Sequence, residues 1–186
     1  MYRHALLDLL GRYEPRDSHE GPNLARIDAF VRAHADCFER SLAVGHITGS
    51  AWLIDRAGTH VLLTHHRKLD MWLQLGGHAD GDPDVLAVAL REAREESGID
   101  DMVPVSTDIF DVDVHPIPER RGEPPHDHYD IRFLLTTTGS EKTRISDESN
   151  DLRWFTADEV LRLDVDASVR RMRAKWLEYH RAESVS

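Results

Sequence analysis

The stretch that most constrains the fold covers residues 76–99, GGHADGDPDVLAVALREAREESGI. Its second half has helical spacing: Leu86, Ala89, Leu90 and Ala93 recur three and four residues apart and share one face. Asp82 suits an N-cap, Pro83 a first helical position and Gly98 a stop, so a helix is predicted over 83–97. Its last two turns carry Glu92, Glu95 and Glu96. Anions there oppose the helix macrodipole, at about 0.3–1 kcal/mol each. Glu92 and Glu96 are also i,i+4 neighbours and repel, and pairing of Arg91 with Glu95 offsets only part of this. A bound cation accounts for carboxylates set against the local field. Hard divalent ions with oxygen ligands, Mg²⁺ or Mn²⁺, suit such a donor set. The plain alternative is a solvated, charged helix face.

The spacing from the upstream glycines adds weight to the first reading. The stretch resembles the Nudix box, whose pattern is Gly, five residues, Glu, seven residues, then Arg-Glu-aliphatic-any-Glu-Glu-any-Gly-aliphatic. Gly77, Arg91, Glu92, Glu95, Glu96, Gly98 and Ile99 match it, and Ala93 is a weaker aliphatic match. Pro83 stands where the pattern has its first Glu. In the family that Glu mostly orients the box, and Asp80 or Asp82 is near enough in sequence to take over such a role.

Composition narrows the setting. The chain has 186 residues, 40% of them hydrophobic, which suits one domain with an extension. The net charge of −11 disfavours binding to a long nucleic acid. A metal can still supply local positive charge for a small polyphosphate. The single cysteine, Cys37, excludes an internal disulfide and suggests a reducing compartment. No run approaches the roughly 20 apolar residues that span a membrane, and residues 1–17 lack the features of a cleaved signal, so a cytoplasmic location is expected.

Residues 1–43 read as a helical extension, with helices over 2–10, ended by Gly11, and over 22–40, with Cys37 packed near its end. Its apolar stripes are expected either to cap a sheet or to join two copies as a homodimer. Residues 44–186 read as the main domain. Strands are expected over 48–54 and 60–64 as a hairpin, then over 71–75, 109–114, 131–137 and 152–155, with helices over 157–163 and 167–180. Strand and helix interleave without a regular βαβ rhythm. The resemblance implies an α/β fold: a Nudix-like α/β/α sandwich with a mixed β-sheet, plus the N-terminal helical extension.

Other residues invite chemistry. Residues 115–130 read as a long loop ending in His126-Asp127-His128. Two His at i,i+2 suit a metal, but no Cys or third His is near in sequence. Substrate contact by His128, Tyr129 or Arg120 and a plain exposed loop are the alternatives. Arg67 and Trp72, ahead of the box, are candidates to line a pocket, and Trp72 also suits a core. Nudix enzymes often carry an acidic residue in a loop comparable to SDESND, which points to Glu148 as an extra ligand or general base; a solvated acidic turn is the alternative. The basic run on the last helix, Arg170, Arg171, Arg173 and Lys175, reads as a solvated face.

The resemblance therefore implies metal-dependent hydrolysis of the diphosphate linkage in a nucleoside diphosphate joined to another moiety. On that reading Gly77 (through its carbonyl), Glu92, Glu95 and Glu96 hold Mg²⁺ or Mn²⁺. Arg91 positions Glu95, a box glutamate or Glu148 is the base, and His128, Tyr129 and Arg67 meet a small nucleotide-type substrate. Two alternatives remain: a nucleotide-binding module with an inactive box, and the isopentenyl diphosphate isomerase branch, which needs a reactive cysteine.

Overall fold

A computed structural model describes residues 3–119, 124–145 and 149–183. In chain order the elements are α1 (His4–Arg12), α2 (Glu20–Ala33), β1 (Gly45–Ile54), β2 (His60–His66), β3 (Met71–Leu73), β4 (Leu75–His78) and α3 (Val85–Ser97). There follow β5 (Met102–Pro104), β6 (Asp111–Ile117), β7 (His126–Thr137), β8 (Ser149–Thr156), α4 (Ala157–Val160) and α5 (Ala167–Glu183). Hydrogen bonding links the strands in the order β3-β2-β1-β7-β5, with β4 on β1, β6 on β7 and β8 on β2. Most ladders are antiparallel. Between β1 and β7 the Asp127 amide donates to the Val44 carbonyl and the Thr136 hydroxyl to the Asp55 carbonyl. Both strands therefore count upward together and run parallel, so the sheet is mixed, and with its helices the fold is α/β as expected.

The chain forms two compact units, and β1 and β7 each contribute to both. The first comprises Met1–Ser50, Gly76–Ala89 and Ser106–Phe133. In it α1 and α2 bury Leu6, Leu10, Ile27, Phe30 and Val31. The ring of Phe30 stacks on Tyr129 of β7 at 3.8 Å, and Arg26 pairs with Asp127 at 2.9 Å. The stripe of α2 thus caps strands of its own unit.

The second unit comprises Ala51–Leu75, Leu90–Val105 and Leu134–Ser186. Its hairpin turns on Asp55, whose carboxylate accepts the amides of Thr59 at 2.6 Å and His60 at 3.1 Å. Burial alone would raise the Asp55 pKa, but these amides and the side chains of His60 and Thr59 hold it low. β2 pairs along its length with β8, from His60↔Thr156 to Thr64↔Leu152. Trp52 and Trp176 meet edge-on in the core at 6.2 Å. A capping box of Thr156 and Glu159 starts α4, and Asp166 starts α5 by accepting the Val169 amide at 2.9 Å.

Several elements depart from the sequence reading. α1 runs through Gly11 to Arg12, because the chain turns only where Tyr13 becomes extended. α2 begins at Glu20, whose carboxylate gathers the Tyr13 hydroxyl and the amides of Arg16 and Asp17. It ends at Ala33, which leaves Cys37 in the following turn, where its carbonyl accepts the Ile47 amide at 2.8 Å. The expected strand over 71–75 is two strands, β3 and β4. β5 is short and ends in proline, too little pattern to read. Lys175, expected in solvent, is 3% exposed. The largest departure is the expected loop over 115–130. β6 and β7 extend into it from both sides, with Val114↔Tyr129, His115↔His128 and Ile117↔His126 in register. Polar inward-facing residues hid those strand ends from a search for apolar alternation.

Candidate functional site

In the first unit, β4 leads through a tight loop into α3. A Cβ on Gly76 (φ +156) would collide with the side chain of Ser50, so glycine is required there. Positive φ falls at Gly76, Asp80 and Gly81, and Gly77 lies within β4. Asp80 holds the guanidinium of Arg40 through two bonds, at 2.5 and 2.7 Å. The helix start differs from expectation. Asp82 accepts the Asp84 amide at 3.0 Å, and Asp84 accepts the Ala87 amide at 3.0 Å. Asp84 is therefore the N-cap, and Pro83 lies outside the helix. With the start moved, the buried stripe is Val85, Val88, Ala89 and Ala93, while Leu86 and Leu90 are half-buried.

The second unit contains the charged end of α3. Gly98 (φ +69) closes it, its amide on the Arg94 carbonyl at 2.8 Å. Ser97 is fully buried, donating to the Ala93 carbonyl at 2.5 Å and accepting the Ile99 amide at 3.1 Å. Glu92 and Glu96 are half-buried and Glu95 is exposed. Arg91 pairs with Glu92 at 3.0 Å, in place of the expected Glu95. Glu92 and Glu96 are half-buried carboxylates one helical turn apart, with Glu95 beside them in sequence, and carboxylate oxygens are the kind of donor that Mg²⁺ and Mn²⁺ take.

In the same unit Arg67 donates to the Ser149 carbonyl at 3.3 Å. Trp72 packs edge-on between His65 and Phe155, at 5.1 and 4.8 Å. Glu148 and Arg120 lie outside the described residues.

A polar ladder runs through the first unit. Successive inward positions are His46, Thr48 and Ser50 on β1; His126, His128, Asp130 and Arg132 on β7; and Asp111, Asp113 and His115 on β6. Asp130 accepts Thr48 Oγ1 at 2.9 Å, Ser50 Oγ at 2.7 Å and Arg132 Nε at 2.6 Å. Arg132 also reaches Asp111 at 3.0 Å and Asp113 at 3.3 Å, and Asn23 binds Asp113 at 3.1 Å. Burial alone would raise the Asp130 pKa. Arg132, His115 and the Arg132 and Ser50 hydrogen bonds outweigh that and keep it ionised. Burial likewise opposes the charge of Arg132, and its three carboxylates more than restore it.

Above this network the imidazoles gather. The ring of His46 lies 4.9 Å from His78, 4.8 Å from His128 and 5.0 Å from His126. His78 and His128 are 5.0 Å apart, and His115 is 5.4 Å from His128. His46 is 3% exposed. Burial, then repulsion from His78, His126 and Arg40, lowers its pKa to about 4, against the opposing charge of Asp80. Burial, followed by His78, His115 and His46, takes His128 to about 2 despite Asp130. His128 is thus part of an imidazole cluster, and Tyr129, on the opposite face of β7, stacks on Phe30. The sequence reading passes over His46, and it gives His78, inside the box loop, only as a candidate to approach phosphates or to pack or cap a turn. A polar residue at every second position of β1, His46, Thr48 and Ser50, was the available signal.

No curated protein matches the chain. Solved structures similar to it include MutT protein from Methanosarcina mazei Go1, at 20% identity and TM-score 0.59, covering 75% of this chain and 97% of that one. The C. elegans Ap4A hydrolase, in a binary complex, is similar at 15% identity and TM-score 0.55, covering 73% and 98%. The NUDIX domain of Shewanella oneidensis NrtR, solved with ADP ribose, is similar at 14% identity and TM-score 0.50, covering 92% and 96%. These likenesses establish a shared fold. The family model for the NUDIX domain matches residues 46–176, which take in β1, the glycine loop, α3 and most of α5, and the chain belongs to that family.

Proposed function

We propose that this Nudix protein is a metal-dependent hydrolase that cleaves the diphosphate linkage of a nucleoside diphosphate joined to another moiety. The observation that carries the reading is the end of α3, where Glu92, Glu95 and Glu96 crowd a helix terminus that disfavours anions. Glu92 and Glu96 would hold Mg²⁺ or Mn²⁺, with Glu95 next to them. A metal bound there supplies charge neutralisation for the phosphates and a lowered pKa for an attacking water. Arg91 holds Glu92 in place through its 3.0 Å ion pair. Glu95, exposed and carrying a carboxylate, is the candidate to take up the water proton, with Glu148 as the alternative base. Ap4A and ADP ribose, named with two of the similar structures, belong to the same chemical class of substrate.

One feature favours a second reading, a nucleotide-binding module without turnover: Pro83 replaces the first box Glu. The test is a panel of nucleoside diphosphate compounds with Mg²⁺ or Mn²⁺, scored for products by mass, with Glu96→Gln as control. Hydrolysis of at least one compound, nearly abolished in Glu96→Gln, is the expected result. Binding without hydrolysis across the panel would establish the module instead. Hydrolysis unchanged in Glu96→Gln would remove the metal assignment.

A further inference from the structure

The geometry points to a second metal site in the first unit, where His46, His78 and His128 together bind a borderline divalent transition metal of the Zn²⁺ type. Each offers one ring nitrogen, and these atoms lie within 4.8 Å of one another. Tetrahedral ligands on a zinc ion stand about 3.4 Å apart, from Zn–N distances of about 2.0–2.1 Å. Modest side-chain rotations close that difference. The three ligands come from β1, β4 and β7, strands that hold their side chains in fixed directions.

Among the described residues, neither ring nitrogen of His46 has a hydrogen-bond partner, and neither does Nε2 of His128. All three atoms are buried. Buried polar atoms are nearly always satisfied, and unsatisfied ones call for an explanation. A metal would satisfy converging rings together, and burial already keeps His46 and His128 in the neutral form that ligates. Imidazole donors select zinc and its neighbours, whereas carboxylates select magnesium. The donor chemistry thus separates this site from the glutamates of α3.

His126 stands beside the three. Its Nδ1 donates to the Pro124 carbonyl at 2.9 Å. Such a bond to a carbonyl is how proteins orient imidazoles around metals. Three protein ligands leave a fourth position for water.

The test uses the full chain after treatment with a chelator. Titration with Co²⁺ is expected to give the visible absorption of a tetrahedral site at one equivalent, displaced by Zn²⁺ and not by excess Mg²⁺. Zinc at a hundredfold its Kd should raise Tm by about 5–10 °C. The double variant Glu92→Gln/Glu96→Gln should keep the cobalt signal, while His78→Asn and His128→Gln, each verified as folded, should weaken binding by about a hundredfold or more. Zinc should also shift the ring ¹⁵N resonances of His46, His78 and His128 in the wild-type chain, a readout independent of any variant. Absence of cobalt and zinc binding overturns the proposal. So does a signal that is lost in the glutamate variant and kept in the histidine variants, or zinc binding that leaves the three rings' resonances unmoved. The site stands or falls separately from hydrolysis, because the glutamate variant removes one and spares the other.

Discussion

Arg132 Nε donates to Asp130 Oδ2 at 2.6 Å, between two residues on the same face of β7 whose side chains are each 2% exposed. The guanidinium serves Asp111 and Asp113 as well, so one cation holds three carboxylates. The five donors of arginine, fixed in a planar fork, allow one side chain to meet all three.

Arg132→Met should therefore cost about 3–5 kcal/mol, the range for leaving buried charge without its partner. Denaturant unfolding measures it. Arg132→Lys should recover less than half, because an ammonium cannot reproduce the fork. A loss below about 1 kcal/mol in Arg132→Met would mean that water reaches these carboxylates.

The start of α3 separates two neighbouring positions. Asp84→Ala should cost about 1 kcal/mol, since it removes the cap from the Ala87 amide. Pro83 lies outside the helix, so Pro83→Glu should change stability by less than about 0.5 kcal/mol. Its effect on turnover should stay under about tenfold, or 1.4 kcal/mol in the barrier. If Pro83→Glu instead switches hydrolysis on in an inert protein, the wild-type chain is a nucleotide binder.

The histidine cluster makes stability of the metal-free protein depend on pH. In the unfolded chain His46 has a pKa near 6.5, and in the fold it is lowered to about 4. Between those values the unfolded state binds more protons, so stability rises with pH across the window. His128, lowered to about 2, acts in the same direction to still lower pH. Unfolding free energy of chelator-treated protein should fall steadily from pH 7 to pH 4. His46→Gln should flatten that slope, and an equal slope in the variant would assign the effect to other groups.

Cys37 bears on the isomerase alternative. Burial is the main cause that raises its thiol pKa to about 11, so it stays protonated and weakly nucleophilic at neutral pH. Cys37→Ala should leave turnover intact and cost roughly 1 kcal/mol of packing, because the side chain is fully buried. A folded variant without activity would restore a chemical role for the thiol.

The body and the end of α3 were legible because they obey local rules: helical period and a glycine at the stop. The error of cap between Asp82 and Asp84 is also local. Both residues suit the role, and only the geometry of the loop decides which carboxylate reaches the Ala87 amide. The histidine cluster was legible only in part. His126 and His128 stood out as a pair, but their partners His46 and His78 are brought near by strand pairing, which no local pattern encodes. The ends of β6 and β7 were misread for the same reason. Their inward positions carry Asp, His and Arg, so burial there follows charge pairing, and a search for apolar alternation passes over it.

Both faces of β7 are buried: Asp130 and Arg132 on one, Ile131 and Phe133 on the other. That makes the strand sensitive to parity. Inserting one residue between His128 and Asp130 would exchange the faces, setting Ile131 and Phe133 against Asp111 and Asp113 and driving two charges into apolar surroundings. Inserting two would restore the alternation and shift only the pairing partners. Among natural or engineered length variants of this strand, changes by an even number of residues should survive and odd ones should not.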